Sequence, residues 1–415
     1  MWWIYNLLLT ILFPVWVPWM LWRAFQRKER PNWQERFGNY GLPPRGDRRR
    51  IWFHAVSVGE VVAGMPILRE IRKELPAHEI VLSVTTSSGH QTAREKAEGL
   101  FDHLVYFPMD VPRFMLAAMQ RVRPDVVAVM ETELWMNFLW AAKVFGARTV
   151  LVNGRISDRS FPRSMKLRFF YRSLLSQLDR ALMQTETDAE RVRRLGARAA
   201  EVFGNCKFDQ ALEGLDADPA RWREELGLDA RPTIVVGSLR AEEFGFFAEA
   251  AQGLEGLQWV VAPRHLEKTE ALAAALAVPS ARRSKGEKMP PSGYLLLDTY
   301  GELSNVYSVA DAVVVGGGFA DLGGQNILQP LAHGKPVVHG PHMQNFRDVA
   351  AMAKDRAAWV ADSPQALRGA IRKLVDEPAL RERMGGSAKE LVEDHRGASR
   401  RYAKAIADEV VAGAK

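Results

Sequence analysis

The chain has 415 residues, more than a single hydrophobic core usually serves, so two domains are expected. Hydrophobic residues make up 47% of it and charged residues 25%, as in a globular protein with a packed interior. The single cysteine, Cys206, excludes an intramolecular disulfide and a metal site built from several cysteines. A formal net charge of +7 favours an anionic partner: a nucleic acid, a membrane surface or a phosphorylated substrate.

Residues 1–22 carry no charged side chain, and a helix of that length spans a hydrocarbon core of ~30 Å. Tryptophans lie near both ends, as at the two interfaces of a bilayer, although Pro14 and Pro18 would bend the helix. Four basic side chains follow, at Arg23, Arg27, Lys28 and Arg30. We expect one membrane anchor, spanning or lying deep in one leaflet, with the rest of the chain in the cytoplasm. A buried core helix is the alternative.

From residue 51 onward, short apolar runs alternate with amphipathic helical stretches. Each run has the length and β-branched composition of a buried parallel strand. The predicted strands are Ile51–Val56, Glu79–Thr85, Leu104–Phe107, Val126–Met130, Thr149–Val152, Ala181–Gln184, Thr233–Val236, Trp259–Ala262, Tyr294–Leu297, Ala312–Val315 and Pro336–His339. This alternation predicts an α/β fold with doubly wound sheets.

A more polar stretch, residues 209–231, divides the strands into two series and is predicted to be a linker. Before it, a basic juxtamembrane segment (23–50) leads into a Rossmann-like domain at 51–208. After it come a second Rossmann-like domain at 232–395 and a C-terminal helix at 396–415, which could pack back on the first domain. Ligands of such sheets bind beyond the carboxyl ends of the strands, so the site is expected in a cleft between two facing domains.

Glu60 ends the stretch His54-Ala-Val-Ser-Val-Gly-Glu60, directly after a predicted strand. A carboxylate at a helix N-terminus complements the helix dipole, which is sufficient reason for its presence. It could equally act as a general base in the cleft. The dipole would lower its pKa, so a base would need partial burial to offset that effect.

Glu131 and Glu133 follow another predicted strand, in Met130-Glu-Thr-Glu-Leu-Trp135. Two carboxylates at this spacing could orient a sugar hydroxyl. They could also cap the next helix, with Thr132 as its N-cap.

Glycine, arginine and serine follow the strands of the second series and predict a phosphate-binding half, because helix N-termini with glycine loops bind anions. The motifs are Gly237-Ser238-Leu-Arg240, Pro263-Arg264-His265, Asp298-Thr-Tyr-Gly-Glu-Leu303, Gly316-Gly-Gly-Phe319 and Gly323-Gly-Gln-Asn-Ile-Leu-Gln-Pro330. Arg240, Arg264 and His265 could neutralise a leaving phosphate. The histidines show no metal-ligand spacing, so neither a metal nor a cofactor is predicted.

In these motifs the chain resembles the 3-deoxy-D-manno-oct-2-ulosonic acid (Kdo) transferases, which are inverting glycosyltransferases of the GT-B fold. The resemblance rests on an ordered set of stretches up to about residue 350. These are His54–Glu60, Met130–Trp135, Asn153-Gly-Arg-Ile-Ser157, Gly204-Asn-Cys-Lys-Phe-Asp209, Pro263–His265, Gly301–Leu303, Gly323–Asn326, and His339-Gly-Pro-His342 with Asn345-Phe346.

The resemblance implies metal-independent transfer of Kdo from CMP-Kdo to lipid IVA, a lipid A precursor, at the inner membrane during lipopolysaccharide synthesis. It implies that Glu60 is the catalytic base and that Glu131, Glu133 and Arg155 lie on the acceptor side. The CMP-Kdo site would consist of Pro263, Arg264, Gly301, Glu302, Leu303, Asn326, Ile327, Leu328 and Gln329, with Ser238, Arg240 and His265 nearby. Inner-membrane lipids are expected partners, and nucleic acid is not.

Two positions depart from the family pattern. Gln329 stands where the family usually has a glutamate that binds ribose hydroxyls, and Arg240 stands where histidine is common. Glutamine still donates and accepts hydrogen bonds, so donor binding should weaken rather than vanish. The alternative function is that of another membrane-associated GT-B transferase with a UDP-sugar donor, such as a lipid A disaccharide synthase.

Overall fold

The computed structural model describes residues 1–26, 32–215 and 218–413. Arg27, Lys28 and Arg30 of the predicted basic run lie outside the described residues. The chain divides into two compact units, one formed by residues 1–210 and 396–415 and the other by residues 211–395.

The α-helices of the described residues are α1 (Trp2–Gln26), α2 (Trp33–Arg36), α3 (Val58–Glu74), α4 (Ser87–Lys96), α5 (Pro112–Val122), α6 (Met136–Val144), α7 (Phe161–Lys166), α8 (Arg168–Leu175), α9 (Glu186–Leu195), α10 (Lys207–Leu212), α11 (Pro219–Leu226), α12 (Phe244–Ala251), α13 (Thr269–Leu276), α14 (Leu303–Val306), α15 (Leu328–Ala332), α16 (Arg347–Ala353), α17 (Pro364–Asp376), α18 (Pro378–Asp394) and α19 (Ala398–Ala412). Short 3-10 helices cover Ala241–Glu243, Leu266–Lys268, Arg283–Lys285, Tyr307–Val309 and Gln344–Phe346.

The strands are β1 (Arg50–Ala55), β2 (Glu79–Val84), β3 (His103–Tyr106), β4 (Val126–Met130), β5 (Arg148–Gly154), β6 (Arg180–Met183), β7 (Ala200–Val202), β8 (Thr233–Leu239), β9 (Gln258–Pro263), β10 (Ser280–Arg282), β11 (Tyr294–Leu296), β12 (Ala312–Val315), β13 (Val337–His339) and β14 (Ala358–Val360).

Each unit contains one parallel sheet. The first has the strand order β3-β2-β1-β4-β5-β6-β7 and the second β10-β11-β9-β8-β12-β13-β14. The central strands are buried on both faces, which explains their continuous apolar sequences. In each sheet the chain order reverses between two adjacent strands, β1 and β4 in the first and β8 and β12 in the second. Such a switch point is where doubly wound sheets bind ligands.

The predicted α/β fold with two Rossmann-like domains is confirmed. Every predicted strand has a counterpart, and the three strands that the sequence did not predict are β7, β10 and β14. Each of them has three residues and lies at the edge of its sheet, where partial exposure removes the apolar run that marks a buried strand.

Residues 209–231, predicted to be a linker, contain the end of α10 and all of α11. Trp222 of α11 is 4% exposed, so this helix contributes to the packing of the second unit. Helix α19 belongs to the first unit and packs on α3. The Asp209 carboxylate accepts hydrogen bonds from the backbone N–H groups of Gly397 (2.6 Å) and Ser399 (2.7 Å), which fixes the start of α19.

Helix α1 is attached to the first unit through its first two turns. The Tyr5 hydroxyl donates to Asp110 at 2.7 Å, and the side-chain amides of Asn6 and Asn137 exchange hydrogen bonds at 2.9 and 2.8 Å. The ring of Trp2 lies 4.7 Å from that of Trp140. Other apolar side chains of α1 are exposed, namely Trp3, Ile4, Leu7, Leu8, Ile11, Leu12, Val15 and Trp22. Across the described residues, no helix combines the length and apolar character needed to cross a membrane.

Asp110 joins α1 to the N-terminus of α6, because its carboxylate also accepts from the backbone N–H groups of Asn137 (3.3 Å) and Phe138 (3.0 Å). Replacing Asp110 with alanine leaves these buried donors unsatisfied. We expect Asp110→Ala to lower the free energy of unfolding by about 1–3 kcal/mol. Urea unfolding measures the change, and Asp408→Ala, at an exposed position of α19, is the control. Equal stability of the two variants would contradict the assigned role of Asp110.

Candidate active site

Glu60 lies in the first turn of α3, at the switch point of the first sheet. Ser57 is the N-cap of this helix: its hydroxyl accepts from the Glu60 N–H at 3.5 Å and donates to Glu60 Oε1 at 3.3 Å. The other carboxylate oxygen, Oε2, accepts from the Val56 N–H at 2.8 Å. Glu60 therefore closes a variant of the capping box, which is the structural role that its sequence position allowed.

The environment of Glu60 also favours the protonated carboxyl. Burial raises the pKa of Glu60 to about 7, against the lowering effect of the hydrogen bond from Val56. The negative charges of Glu133 and Glu131 raise this pKa further, and the hydrogen bond from Ser57 lowers it. Burial therefore outweighs the helix N-terminus, the condition that a general base at this position requires.

Glu131 and Glu133 follow directly after β4, which is the neighbour of β1. The structure therefore brings the predicted carboxylates of Glu60, Glu131 and Glu133 together. Glu131 has a φ of +52°, a left-handed conformation that costs a non-glycine residue about 1–3 kcal/mol and is typical of functional sites. Its Oε1 lies 3.5 Å from Nζ of Lys207. Burial, followed by the charge of Glu131, raises the pKa of Glu133.

Lys207 is a site residue that was not singled out from the sequence, although it lies within a family motif. Asn153, at the end of β5, helps to position it: the Asn153 Oδ1 atom accepts from the Cys206 N–H at 3.2 Å. Asn153 is also left-handed, with a φ of +52°. The predicted acceptor residue Arg155 follows two positions later, is partly exposed, and lines a cavity together with Glu131.

In the second unit, Ser238 lies near the end of β8 with a φ of +56°, where a bulge interrupts the pairing with β9. Arg240 follows and is partly exposed, with its Nε atom 3.8 Å from Glu242. Adding a Cβ atom at Gly237 would place it 1.9 Å from the Tyr307 hydroxyl, so only glycine fits there. Ser238 and Arg240 thus occupy the switch point between β8 and β12.

Glu243 was missed by the sequence analysis and occupies the centre of this switch point. It is 1% exposed. Its carboxylate accepts from the N–H groups of Gly317 (2.7 Å), Phe319 (2.9 Å), Ala320 (3.3 Å) and Arg240 (3.0 Å). Two N–H groups of the predicted anion-binding loop at residues 316–319, those of Gly317 and Phe319, are therefore already satisfied by a side chain of the protein itself.

The remaining predicted donor residues follow β9 and β11. Pro263 ends β9 and is buried, whereas Arg264 and His265 are exposed. Glu302 precedes α14, and its carboxylate is held by Arg283 at 2.9 Å and by the hydroxyl of Thr299. Arg283 falls in the stretch 281–292, whose charged residues, glycines and prolines predict an exposed loop, so its contact with Glu302 is not evident from the sequence.

The stretch from Asn326 to Gln329 enters α15. The Asn326 Oδ1 atom accepts from the Leu328 N–H at 2.9 Å, a local turn that leads into this short helix. Ile327 and Leu328, two of the predicted donor residues, are completely buried and present no accessible surface to a ligand. Gln329 is partly exposed.

Residues 31–210 match the family model described as "3-Deoxy-D-manno-octulosonic-acid transferase (kdotransferase)", and residues 294–391 match "Glycosyl transferases group 1". A 3-deoxy-D-manno-octulosonic acid transferase of Bordetella pertussis is 35% identical over 433 residues, covering 98% of this chain and 98% of the relative. The chain belongs to the Kdo transferase family. It is therefore a glycosyltransferase.

A relative of the same description from Haemophilus influenzae is 30% identical to this Kdo transferase and covers 88% of each chain. A solved glycosyltransferase of Rickettsia africae is similar with a TM-score of 0.60 at 11% identity, covering 88% of this chain and 99% of that one. At that identity the likeness shows the fold alone, which is GT-B-like.

The raised pKa of Glu60 predicts a pH-dependent cost in stability for the Kdo transferase. The folded protein holds the Glu60 proton more tightly than the unfolded chain does, so stability is lost as pH rises from the ordinary pKa toward about 7. We expect the Tm of Glu60→Gln, relative to that of the wild type, to increase as the pH is raised from about 5 to about 8. Thermal unfolding at several pH values measures this difference.

Glu74→Gln is the matched control, because Glu74 is an exposed residue of the same helix. Its difference from the wild type should not change with pH. A Glu60→Gln difference that is equally flat would contradict the raised pKa of Glu60.

Proposed function

We propose that this protein transfers a Kdo residue from CMP-Kdo to a lipid A precursor, with Glu60 as the general base. The observation that carries the proposal is the buried Glu60 carboxyl at the switch point, with a pKa of about 7. A base is most effective when its pKa lies near the working pH. The names of the relatives supply the sugar, which is Kdo.

In the proposed reaction, Glu60 accepts the proton of the acceptor hydroxyl while the oxygen attacks the anomeric carbon of Kdo. The bond between this carbon and the phosphate oxygen of CMP breaks, and CMP leaves with the bonding electrons, so the configuration inverts. In this proposal Glu131, which contacts Lys207, and Glu133 orient the acceptor sugar beside Glu60. Their charges also keep the pKa of Glu60 raised.

The second unit is proposed to bind the nucleotide. Arg240, Arg264 and His265 are partly or fully exposed at the ends of neighbouring strands, where cations can neutralise the leaving phosphate. Glu302, kept in place by Arg283, and Gln329 can offer hydrogen-bond acceptors to ribose hydroxyls.

Glu60→Gln tests the proposed base, because glutamine retains the shape of the side chain but cannot accept the proton. With CMP-Kdo and a tetraacylated lipid A precursor, we expect the transfer rate to fall by about 10²-fold or more. In the wild type the rate should rise with pH through about 7, as the carboxyl ionises. Mass spectrometry of the product fixes the donor, the acceptor and the number of Kdo residues together.

Glu74→Gln serves again as the control and should transfer Kdo at the wild-type rate. An unaltered rate for folded Glu60→Gln would exclude Glu60 as the base. Turnover of the wild type with UDP-GlcNAc but not with CMP-Kdo would reject the proposed donor.

We also propose that α1 holds the protein at the cytoplasmic face of the inner membrane, lying in one leaflet. Its exposed apolar side chains form a larger patch than a surface exposed only to water would be expected to carry. Tyr5 and Asn6, near the start of α1, are bonded to Asp110 and Asn137 of the adjoining domain. A helix fixed to the domain at its first turns is better suited to lie along the bilayer than to cross it.

Two charged substitutions on the exposed face of α1, Leu7→Glu with Ile11→Glu, test this attachment. Because each leucine or isoleucine moved from water into an apolar layer contributes about 1.5–3 kcal/mol, we expect liposome binding to weaken by about tenfold or more. The control is Val202→Glu with Val411→Glu, two exposed apolar positions elsewhere in the same unit. Equal flotation of the two double variants would contradict the proposal.

A further inference from the structure

A largely apolar cavity of about 270 Å³ lies in the first unit and is lined in part by Glu131. Its wall comes from β5, α8 and α9, through side chains that include Leu151, Leu174, Leu175, Val192 and Leu195. Each of these five side chains is at most 2% exposed. Protein interiors contain few voids larger than a water molecule, and an apolar cavity of ~150 Å³ already binds a benzene molecule. A cavity of this size and lining is suited to an apolar ligand.

The polar residues of the cavity place it next to the proposed reaction. Glu131 lines it, and the charge of Glu131 acts on Glu60. Arg155 and Ser160 also line it, and the exposed Arg159 and Arg163 lie nearby in sequence. The cavity thus combines an apolar interior with a basic, hydroxyl-bearing surround, which complements a ligand that carries a phosphate at the head of an apolar chain.

The cavity also lies close to Tyr5, on the docked face of α1. Phe170 lines the cavity, and its ring lies 5.9 Å from that of Tyr5. On the same segment, Leu167 and Phe169 are 51% and 59% exposed. Phe170 therefore connects the docked face of α1 with the cavity wall, and the exposed Leu167 and Phe169 beside it in sequence would offer apolar contacts to a chain that reaches the cavity from this side.

We propose that this cavity binds one acyl chain of the lipid acceptor and so sets which acceptor lipids are used. The proposal rests on the proposed function, because the acceptor is taken to be an acylated, phosphorylated sugar. A chain held in the cavity places its head group beside Glu131 and Arg155, and hence near Glu60. Acyl-chain length then controls acceptor binding, whereas the chemical step remains with Glu60.

The test compares two acceptors, a tetraacylated lipid A precursor and the same disaccharide bisphosphate without acyl chains. Val192→Phe fills the cavity with a ring, and Val144→Phe adds the same ring at an exposed position of α6 that does not line it. We expect Val192→Phe to raise KM for the acylated acceptor by about tenfold or more, since each buried methylene contributes about fourfold to binding. The kcat/KM of Val192→Phe for the deacylated acceptor should stay at the wild-type level. For Val144→Phe, the KM for the acylated acceptor and the kcat/KM for the deacylated acceptor should both stay at wild-type levels.

An equal effect of Val192→Phe on both acceptors, or no effect on either, would overturn the proposal. A wild-type experiment covers the case in which Val192→Phe does not fold: a precursor with a diazirine on one acyl chain is cross-linked, and the adducts are mapped by mass spectrometry. Adducts on α8 and α9 support the cavity, and adducts confined to other segments reject it. If no acceptor receives Kdo, the proposed function fails, while the adduct positions still decide whether the cavity binds an acyl chain.

Discussion

The burial of one carboxyl group at a helix N-terminus determines what the first unit can do. The dipole of α3, the Val56 N–H and the Ser57 hydroxyl all stabilise the ionised form of Glu60. Burial and the two neighbouring carboxylates oppose them and prevail, which leaves the pKa of Glu60 near 7. An exposed glutamate with the same cap would be ionised but a weak base. The same burial costs stability at neutral pH, as is common where a site is built for chemistry rather than for folding.

The switch point of the second sheet, between β8 and β12, has a different role. It also has a buried glutamate, Glu243, but four backbone N–H groups surround that carboxylate. A carboxyl group satisfied in this manner organises the loop after β12. Two Rossmann-like sheets therefore place a glutamate at corresponding positions, and the backbone N–H groups around Glu243 give it a loop-holding role that Glu60 does not have.

The sequence predicted the buried strands and the position of Glu60, because both depend on local patterns: apolar runs and a polar residue at a strand end. It did not decide between cap and base at Glu60, since that depends on burial and on Glu131 and Glu133, which are distant in sequence. Glu243 was missed because it reads as an ordinary acidic residue in a first helical turn. Arg283 was missed because its polar surroundings in sequence resemble a loop, whereas its partner Glu302 is brought close only by the fold.

Helix α1 has two different faces: one attaches it to the first unit, and the other exposes apolar side chains. Its apolar sequence predicts an anchor, but Tyr5 and Asn6 interrupt that pattern and make the polar contacts that attach α1 to Asp110 and Asn137. These contacts fix the exposed apolar face of α1 relative to Phe170 and the cavity behind it. An anchor connected to the domain only by a flexible linker would hold the enzyme near the proposed membrane without orienting it. A docked helix can also direct the acceptor lipid toward Glu60. The hydrogen bonds of Tyr5 and Asn6 therefore connect the proposed membrane attachment with the proposed acyl-chain cavity.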